Sequence, residues 1–350
     1  MDIYCIDPIS DSRWEKFLQT HPRASIFHTS AWLSALRKTY RYEPLVFTTS
    51  PPADPIGNGI VFSRVRSWLT GFRLVSVPFA DHCDPFLDTD EGGSSLTAFL
   101  SAIVKQEHCD YIEMRSSLPG SLQHEPSGLS PRSAFWHHSL DLTPSLTFLF
   151  DRFHKSCFQR KIRRAEKEGL VYSEGTDDST LRSFYSLLTL TRRRHGVPPQ
   201  PLTWFRNLRD CLADSLKIAL ASWKGRPVAS MLTLRHKDTL VYKYGCSDAA
   251  FHRLGAMPFL FWQTIQRAKV NGAIEFDLGR ADLDADGLIA FKNHLGATAS
   301  RLTYYRYPAT SAAPTALSRL MKSRKVYAFS AHLPNVLLRA AGSFLYRHVG

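Results

Sequence analysis

The stretch FDLGRADLDADGLIAFKNHLGA, from Phe276 to Ala297, decides how this chain reads. It opens as an apolar strand and breaks at Gly279. An acidic turn follows, with Asp282, Asp284 and Asp286, and then a segment that carries Phe291-Lys292 and closes at Gly296. The end of a core strand is where α/β folds tend to build sites. The spacing D-x-D-x-D-G opens a calcium loop, but such a loop ends on a Glu. Lys292 and Leu295 flank the required position instead, so calcium is rejected. The acids read as a solvated turn that screens local positive charge or favours the start of the helix presenting Lys292.

Working outward, a helix over 257–271 precedes the strand over 273–278. Before it come strands over 216–223, 228–234 and 240–244, the first two joined by a hairpin turn at Lys224-Gly225-Arg226-Pro227. The first half has the same order: strands over 60–65 and 74–79, a loop over 81–94, a helix over 96–107 and a strand over 111–115. DYIEMRSS (110–117) stands where AIEFDLGR (273–280) stands later. The offset of roughly 165 residues is far too long for a solenoid and points to two copies of one α/β domain. Two helices precede the first copy, one with Trp14, Phe17 and Leu18 on a face, the other with Trp32, Leu33 and Leu36. Residues 117–133 read as a loop. The expected division is 1–145, 146–308 and a basic helical tail over 309–350.

With 350 residues, 44% of them hydrophobic, the chain can bury a sizeable core. The formal charge of +13 implies an anionic partner: nucleic acid, membrane surface or phosphorylated ligand. Six cysteines, at 5, 83, 109, 157, 211 and 246, are scattered, with no CxxC and no His/Cys cluster of metal spacing. They read as reduced thiols with no metal implied. The N-terminus lacks the apolar core of a signal peptide, and no apolar run approaches about 18 residues, so the expected location is cytoplasmic. No acid follows Asp286. LSRLMKSRKVYAF (317–329) and PNVLLRAAGSFLYRHVG (334–350) are basic and amphipathic, with Leu337, Ala341, Phe344 and Leu345 on one face. Residues 311–350 therefore read either as a peripheral contact with an anionic membrane, at its inner face, or as a segment docked on the protein's own core.

Several side chains are candidates for chemistry. Asp277 lies at the end of the core strand, as a catalytic carboxylate or as a turn cap paired with Arg280. The planar fork of Arg280 suits a phosphate or carboxylate. Tyr242 and Tyr244 alternate on a strand and are expected to share a face. Arg192, Arg193, Arg194 and His195 end a helix over 178–195, where cations are favoured by the dipole in any case. Between the halves, Arg160, Lys161, Arg163, Arg164 and Lys167 make a basic helix that either is solvated or grips a phosphate backbone.

TRRRHGVPPQP (191–201), YKYGCS (242–247), FDLGR (276–280), GLIAFKNHLGA (287–297) and LTYYRY (302–307) stand in that order. Together they resemble the FemAB-like branch of the GNAT acyltransferase superfamily. That branch includes acetyltransferases associated with bacterial cellulose and exopolysaccharide production, and aminoacyl-tRNA-dependent peptidoglycan ligases. FHTSAWLSALRKTY (27–40) and LVSVPFADHCDP (74–85) follow more loosely, so the resemblance spans about 10–308. It implies an α/β fold of two tandem GNAT-like domains, each a mixed, mainly antiparallel sheet flanked by helices. It also implies that Phe291-Lys292 is the family's Phe-Lys pair, which lies near the aminoacyl donor in the peptide ligases. Lys292 would then neutralise a phosphate or stabilise a developing oxyanion. Tyr304 or Tyr305 would protonate a leaving thiolate, as tyrosines do in some GNAT enzymes. Ordinary GNAT enzymes cradle the CoA pyrophosphate with an Arg/Gln-x-x-Gly-x-Gly/Ala loop before a helix. Here FHRLGAMPFLFW (251–262) keeps Arg253 and Gly255 at a different spacing.

The expected site follows from these readings. Lys292, Asp277 and Tyr305 are catalytic; Arg253, Gly255, Arg280 and Phe291 hold the donor; Tyr244, His195, Arg194 and Arg163 hold the acceptor. The expected reaction moves an acyl group, with acyl-CoA as co-substrate and no bound cofactor, to an amine or hydroxyl of a saccharide or lipid-linked precursor of an envelope or exopolysaccharide. Two rivals stand beside it. One is aminoacyl transfer from charged tRNA to a peptidoglycan-type precursor, against which the interrupted stretch 151–195 gives no long helical arm. The other is a non-catalytic polysaccharide-assembly factor at the membrane.

Overall fold

The computed structural model describes residues 2–87, 94–116, 128–308 and 334–349. The tail stretch 317–329 and residues 117–127 of the expected loop lie outside them. The chain divides into two compact units. The first runs to Phe135 and resumes at Arg301; the second holds Trp136–Ser300.

In the first unit, β1 (Tyr4–Ile6), α1 (Ser12–Thr20) and α2 (Ser30–Tyr40) lead into the repeat. Trp14, Leu18, Trp32, Leu33 and Leu36 are all buried, as the helical spacing requires. Then come β2 (Glu43–Thr48), β3 (Ile60–Ser67), β4 (Gly71–Val75), α3 (Ser94–Glu107) and β5 (Tyr111–Ser116). β2, β3 and β4 form an antiparallel meander, and β5 pairs parallel to β4. The strand expected over 74–79 stops at Val75, because Val77 and Phe79 take positive φ, 56° and 61°, which no strand accommodates.

The chain enters the second unit within β6 (Ser130–Asp141). It continues through α4 (Leu146–Arg152), a π-helical turn over Lys155–Gln159, α5 (Arg160–Lys167), β7 (Val171–Gly175), α6 (Asp178–Arg194) and α7 (Leu202–Leu212). The second copy of the repeat is β8 (Leu216–Trp223), β9 (Arg226–His236), β10 (Thr239–Ser247), α8 (Ala256–Val270) and β11 (Glu275–Asp282). Lys224 and Gly225 both take positive φ, 49° and 77°, the geometry of a two-residue turn whose twist matches its strands. That turn fixes the β8–β9 register at Trp223 opposite Arg226. β8, β9 and β10 are again antiparallel, and β11 is again parallel to β10. The repeat read from the sequence is thus a repeat of topology. In α8 the residues Pro258–Trp262 are all buried, so this helix sits within the core of the second unit, against Met231, Phe276 and Leu295.

α9 (Asp286–His294) and β12 (Thr298–Tyr307) close the described repeat. The described residues 301–308 belong to the first unit, where β12 pairs antiparallel to β5, and the second unit takes the chain again up to Ser343. The observed division therefore falls at 135/136, inside a strand, rather than at 145/146. Last is α10 (Asn335–Val349). Leu338 is fully buried and Arg339 lies 5.1 Å over the Tyr185 ring in the second unit. In the first unit Tyr42 Oη donates to the Tyr346 carbonyl at 2.8 Å, and Arg73 and Thr70 donate to that of His348. One side of α10 thus docks on the protein, while Val336, Leu337 and Phe344 stay exposed. Among the described residues no helix is long and apolar enough to cross a membrane.

Candidate active site

In the second unit β10 and β11 pair over three positions, Thr239–Val241 against Glu275–Asp277. Beyond Asp277 the backbone of β11 turns to side chains. The Gly279 N–H donates to Asp277 Oδ1 at 2.7 Å. The carbonyls of Gly279 and Arg280 accept from Lys292 Nζ at 2.8 and 2.9 Å. Lys292 is 3% exposed, buried rather than on a solvated face of its helix. A buried ammonium needs full hydrogen bonding, and the turn over 283–285 brings α9 back at the right distance to supply it.

Asp277 is also 3% exposed. Its Oδ1 lies 2.8 Å from Nε2 of His137, a carboxylate–imidazole pair of the kind that orients a proton acceptor. Sequence reasoning missed His137. Its signal was the dipeptide His137-His138, adjacent residues that face opposite sides of β6, but β6 lay partly under the expected loop. His138 is fully buried. Burial, then the charges of Lys292 and His137, lower its pKa to about 4, so it is neutral near pH 7.

The other expected residues divide. The Arg280 side chain is exposed, whereas its carbonyl serves Lys292. Asp282, Asp284 and Asp286 are exposed; the N-cap of α9 is Ala285, with no side-chain cap, and Asp286 sits in the first turn. Phe291 packs inward, its ring 4.9 Å from Phe158 and 5.3 Å from Phe261. It anchors α9 on the core of the second unit.

Tyr242 and Tyr244 do not share a face. The β9–β10 register shifts between them, and the extra residue of a bulge reverses the alternation. Tyr242 packs on Phe261 of α8, while Tyr244 packs on Phe184 and Phe205 of α6 and α7. Tyr244 Oη accepts from Trp204 Nε1 at 3.0 Å and donates to Gln200 Oε1 at 2.5 Å, which makes it a core strut rather than an acceptor contact.

Arg194 and His195 are exposed at the end of α6. Arg194 donates to the Ser247 carbonyl at 3.3 Å, which ties the end of α6 to the end of β10. Partial burial, then the Arg194 and Arg192 charges, lower the His195 pKa. His252, whose Nε2 lies 2.9 Å from Ser247 Oγ, is lowered by burial and then chiefly by Arg194. Arg253 is exposed in the short helix that leads into α8. Gly255 takes φ 77°, and a Cβ there would lie 2.5 Å from the Lys161 carbonyl oxygen. Its role is close packing of α5 on the start of α8. Arg163 lies 5.6 Å over the Phe150 ring and lines a shallow groove of about 370 Å³ with Asp151, Glu166 and Trp262. Tyr305 belongs to the first unit, where it pairs with Met114 and packs on that unit's core. Its neighbour Tyr304 is buried there, its hydroxyl on the Asp81 carbonyl at 2.7 Å.

Residues 152–292 match the family described as an acetyltransferase (GNAT) domain. The UDP-N-acetylmuramoylpentapeptide-lysine N(6)-alanyltransferase of Weissella viridescens is 23% identical over 163 residues, 44% of this chain and 44% of that protein. This chain therefore spans less than half the length of that relative. Among solved structures, FemX aligns with a TM-score of 0.69 at 14% identity, over 92% of this chain and 100% of that one. A tandem GNAT protein from the clavulanic acid biosynthesis pathway aligns with a TM-score of 0.54 at 12% identity, over 89% and 99%. Both likenesses are of fold, and the second is to a tandem arrangement such as the repeat here. The motifs from 191 to 307, the matched domain and the doubled topology agree: residues 152–292 match a GNAT acyltransferase domain, and the chain resembles the FemAB-like branch of that superfamily.

Proposed function

We propose that the second unit transfers an aminoacyl group from an ester donor to an amine of a saccharide or lipid-linked precursor of the cell envelope. The observation that carries this reading is the junction at the end of β11. There a buried ammonium and a carboxylate–imidazole pair stand on one short stretch of backbone. An attacking amine must lose a proton, and the carbonyl it attacks must gain negative charge. His137, held at Nε2 by Asp277, takes the proton at Nδ1. Lys292 fixes positive charge for the carbonyl oxygen. The amine nitrogen bonds to the acyl carbon, the donor's ester bond breaks, and His137 returns the proton to the leaving oxygen. No covalent enzyme intermediate is required.

Two features favour an aminoacyl ester over acyl-CoA. Gly255 is covered by Lys161, and the curated relative is named as an alanyltransferase acting on a lysine amine of a UDP-linked muramoyl pentapeptide. Acyl-CoA remains the second reading, favoured by the exposed Arg253 before α8. An exopolysaccharide precursor is the corresponding second acceptor. The exposed Val336, Leu337 and Phe344 of a basic helix support a peripheral contact with an anionic membrane, where a lipid-linked acceptor would be met.

The test is thermal unfolding with alanyl-tRNA, uncharged tRNA and acetyl-CoA, each at low and high salt. A ligand that binds the folded state alone raises the midpoint. The expected result is a salt-resistant shift with charged but not uncharged tRNA, lost in Lys292→Ala. A shift with acetyl-CoA alone would replace this reading with the second, and no shift with any donor would overturn both.

A further inference from the structure

Outside the β11 junction, three side chains from two distant parts of the sequence meet in the second unit. One nitrogen each of His154 and His294 and the sulfur of Cys157 all lie within 4.8 Å of one another. The absence of a His/Cys cluster of metal spacing holds along the chain but not in space, because His294 reaches the others only through the fold. We propose that His154, Cys157 and His294 form a binding site for a borderline-soft divalent cation, zinc being the best fit.

The donor set argues for the metal. Two imidazoles and one thiol, with no carboxylate in the group, suit zinc and exclude the hard cations that need oxygen ligands. Three protein ligands leave a fourth tetrahedral position, as in zinc sites that keep a water or exchangeable ligand. His154 is exposed and the other two are half-buried, so a cation has a path in and solvent can fill that position.

The backbone holds the ligands in place without the ion. The His154 N–H donates to the His294 carbonyl at 2.9 Å, and the two rings lie 4.3 Å apart, tilted by 44°. His154 caps the π-helical turn that carries Cys157. π-helical turns occur often at functional sites, and this one is pinned from both sides. Gln159 Nε2 donates to the carbonyls of Phe150, Asp151 and Phe153, and the buried Phe158 ring packs on Phe291. Ser156 Oγ lies 3.3 Å from His154 Nδ1. The Cys157 N–H donates to the same nitrogen at 3.3 Å, so both contacts hold the His154 ring over the turn. Binding then joins the π-helical turn to the C-terminal end of α9, two residues beyond Lys292.

The test uses the full chain, freed of metal with a chelator and titrated with Co²⁺. The expected result is one equivalent bound, with visible d–d bands and a near-ultraviolet thiolate charge-transfer band, all displaced by Zn²⁺. Cys157→Ser removes the charge-transfer band, and His294→Ala weakens Zn²⁺ binding by roughly tenfold or more, with the melting profile checking each fold. A second readout needs no variant. Zn²⁺ should slow alkylation of Cys157 while leaving Cys5, which is exposed, unaffected. The proposal is overturned by the lack of a stoichiometric endpoint, by a band that survives Cys157→Ser, or by equal alkylation of Cys157 with and without Zn²⁺.

Discussion

The two copies of the repeat end in the same topology and use it differently. In the first, Val75 of β4 pairs with Glu113 of β5, and the chain after β4 stays with its neighbour. Ser76 N–H donates to the Glu113 carbonyl and Cys83 N–H to that of Arg115, both at 2.7 Å. The Arg115 guanidinium binds the Glu113 carboxylate at 2.9 and 3.0 Å and the carbonyls of Val77 and Ala80. Burial pushes the Glu113 carboxyl up, but Arg115 outweighs it and holds the group below its usual range. In the second copy Val241 pairs with Asp277, the position of Glu113. There the partners of the backbone and the carboxylate are Lys292 and His137. The first junction is locked by its own loop and arginine; the second carries polar groups that chemistry can use.

The largest expected effect separates these roles. Lys292→Ala should lower transfer by about a hundredfold or more, the usual loss when a charge aimed at the developing oxyanion is removed. Glu113→Gln, at the equivalent end of the first copy, should leave kcat within about twofold once folding is corrected for. A steady-state comparison of the two variants settles this. Equal losses of kcat would break the contrast and make both junctions part of one machine.

Stability should reverse that ranking. Arg115→Met strips the Glu113 carboxylate and two carbonyls of their donor, in a site where the arginine side chain is 12% exposed. Breaking a buried pair from one side costs about 3 kcal/mol or more. Urea unfolding should show a lower midpoint at unchanged slope, with little change in transfer by the fraction still folded.

How much of this was legible varies with the kind of information required. Strand and helix order in both copies follows from apolar periodicity, and β8 is placed at Leu216–Trp223 as expected. Lys292 and Asp277 could be singled out as candidates because their motif is local. His137 was not, since its partner is 140 residues away and β6 begins in a Ser- and Pro-rich stretch. Tyr244 failed for a different reason: period-two alternation predicts one face for Tyr242 and Tyr244, but a bulge reverses it, and bulges leave little mark in a single sequence. The setting of Tyr305 was not legible, because β12 pairs with β5 of the first unit, a long-range choice that no local pattern encodes.

The smallest effect concerns acid. His138 is fully buried, and burial with the charges of Lys292 and His137 takes its pKa down to about 4 from the usual 6.5. Between these values the unfolded chain binds a proton that the folded one refuses, so stability rises with pH across this window. The contribution is whole above about pH 6.5 and falls by about 2 kcal/mol by pH 5. His138→Leu should flatten this limb of the stability–pH curve, because the unfolded chain then has no such proton to gain. The same linkage predicts where the loss begins. His138 belongs to the second unit beside Lys292, so amides of β11 should lose hydrogen-exchange protection on acidification before those of β5. Simultaneous loss in both strands would mean that the copies unfold as one, and the contrast between a locked and a chemically equipped junction would then carry no separate energetic signature.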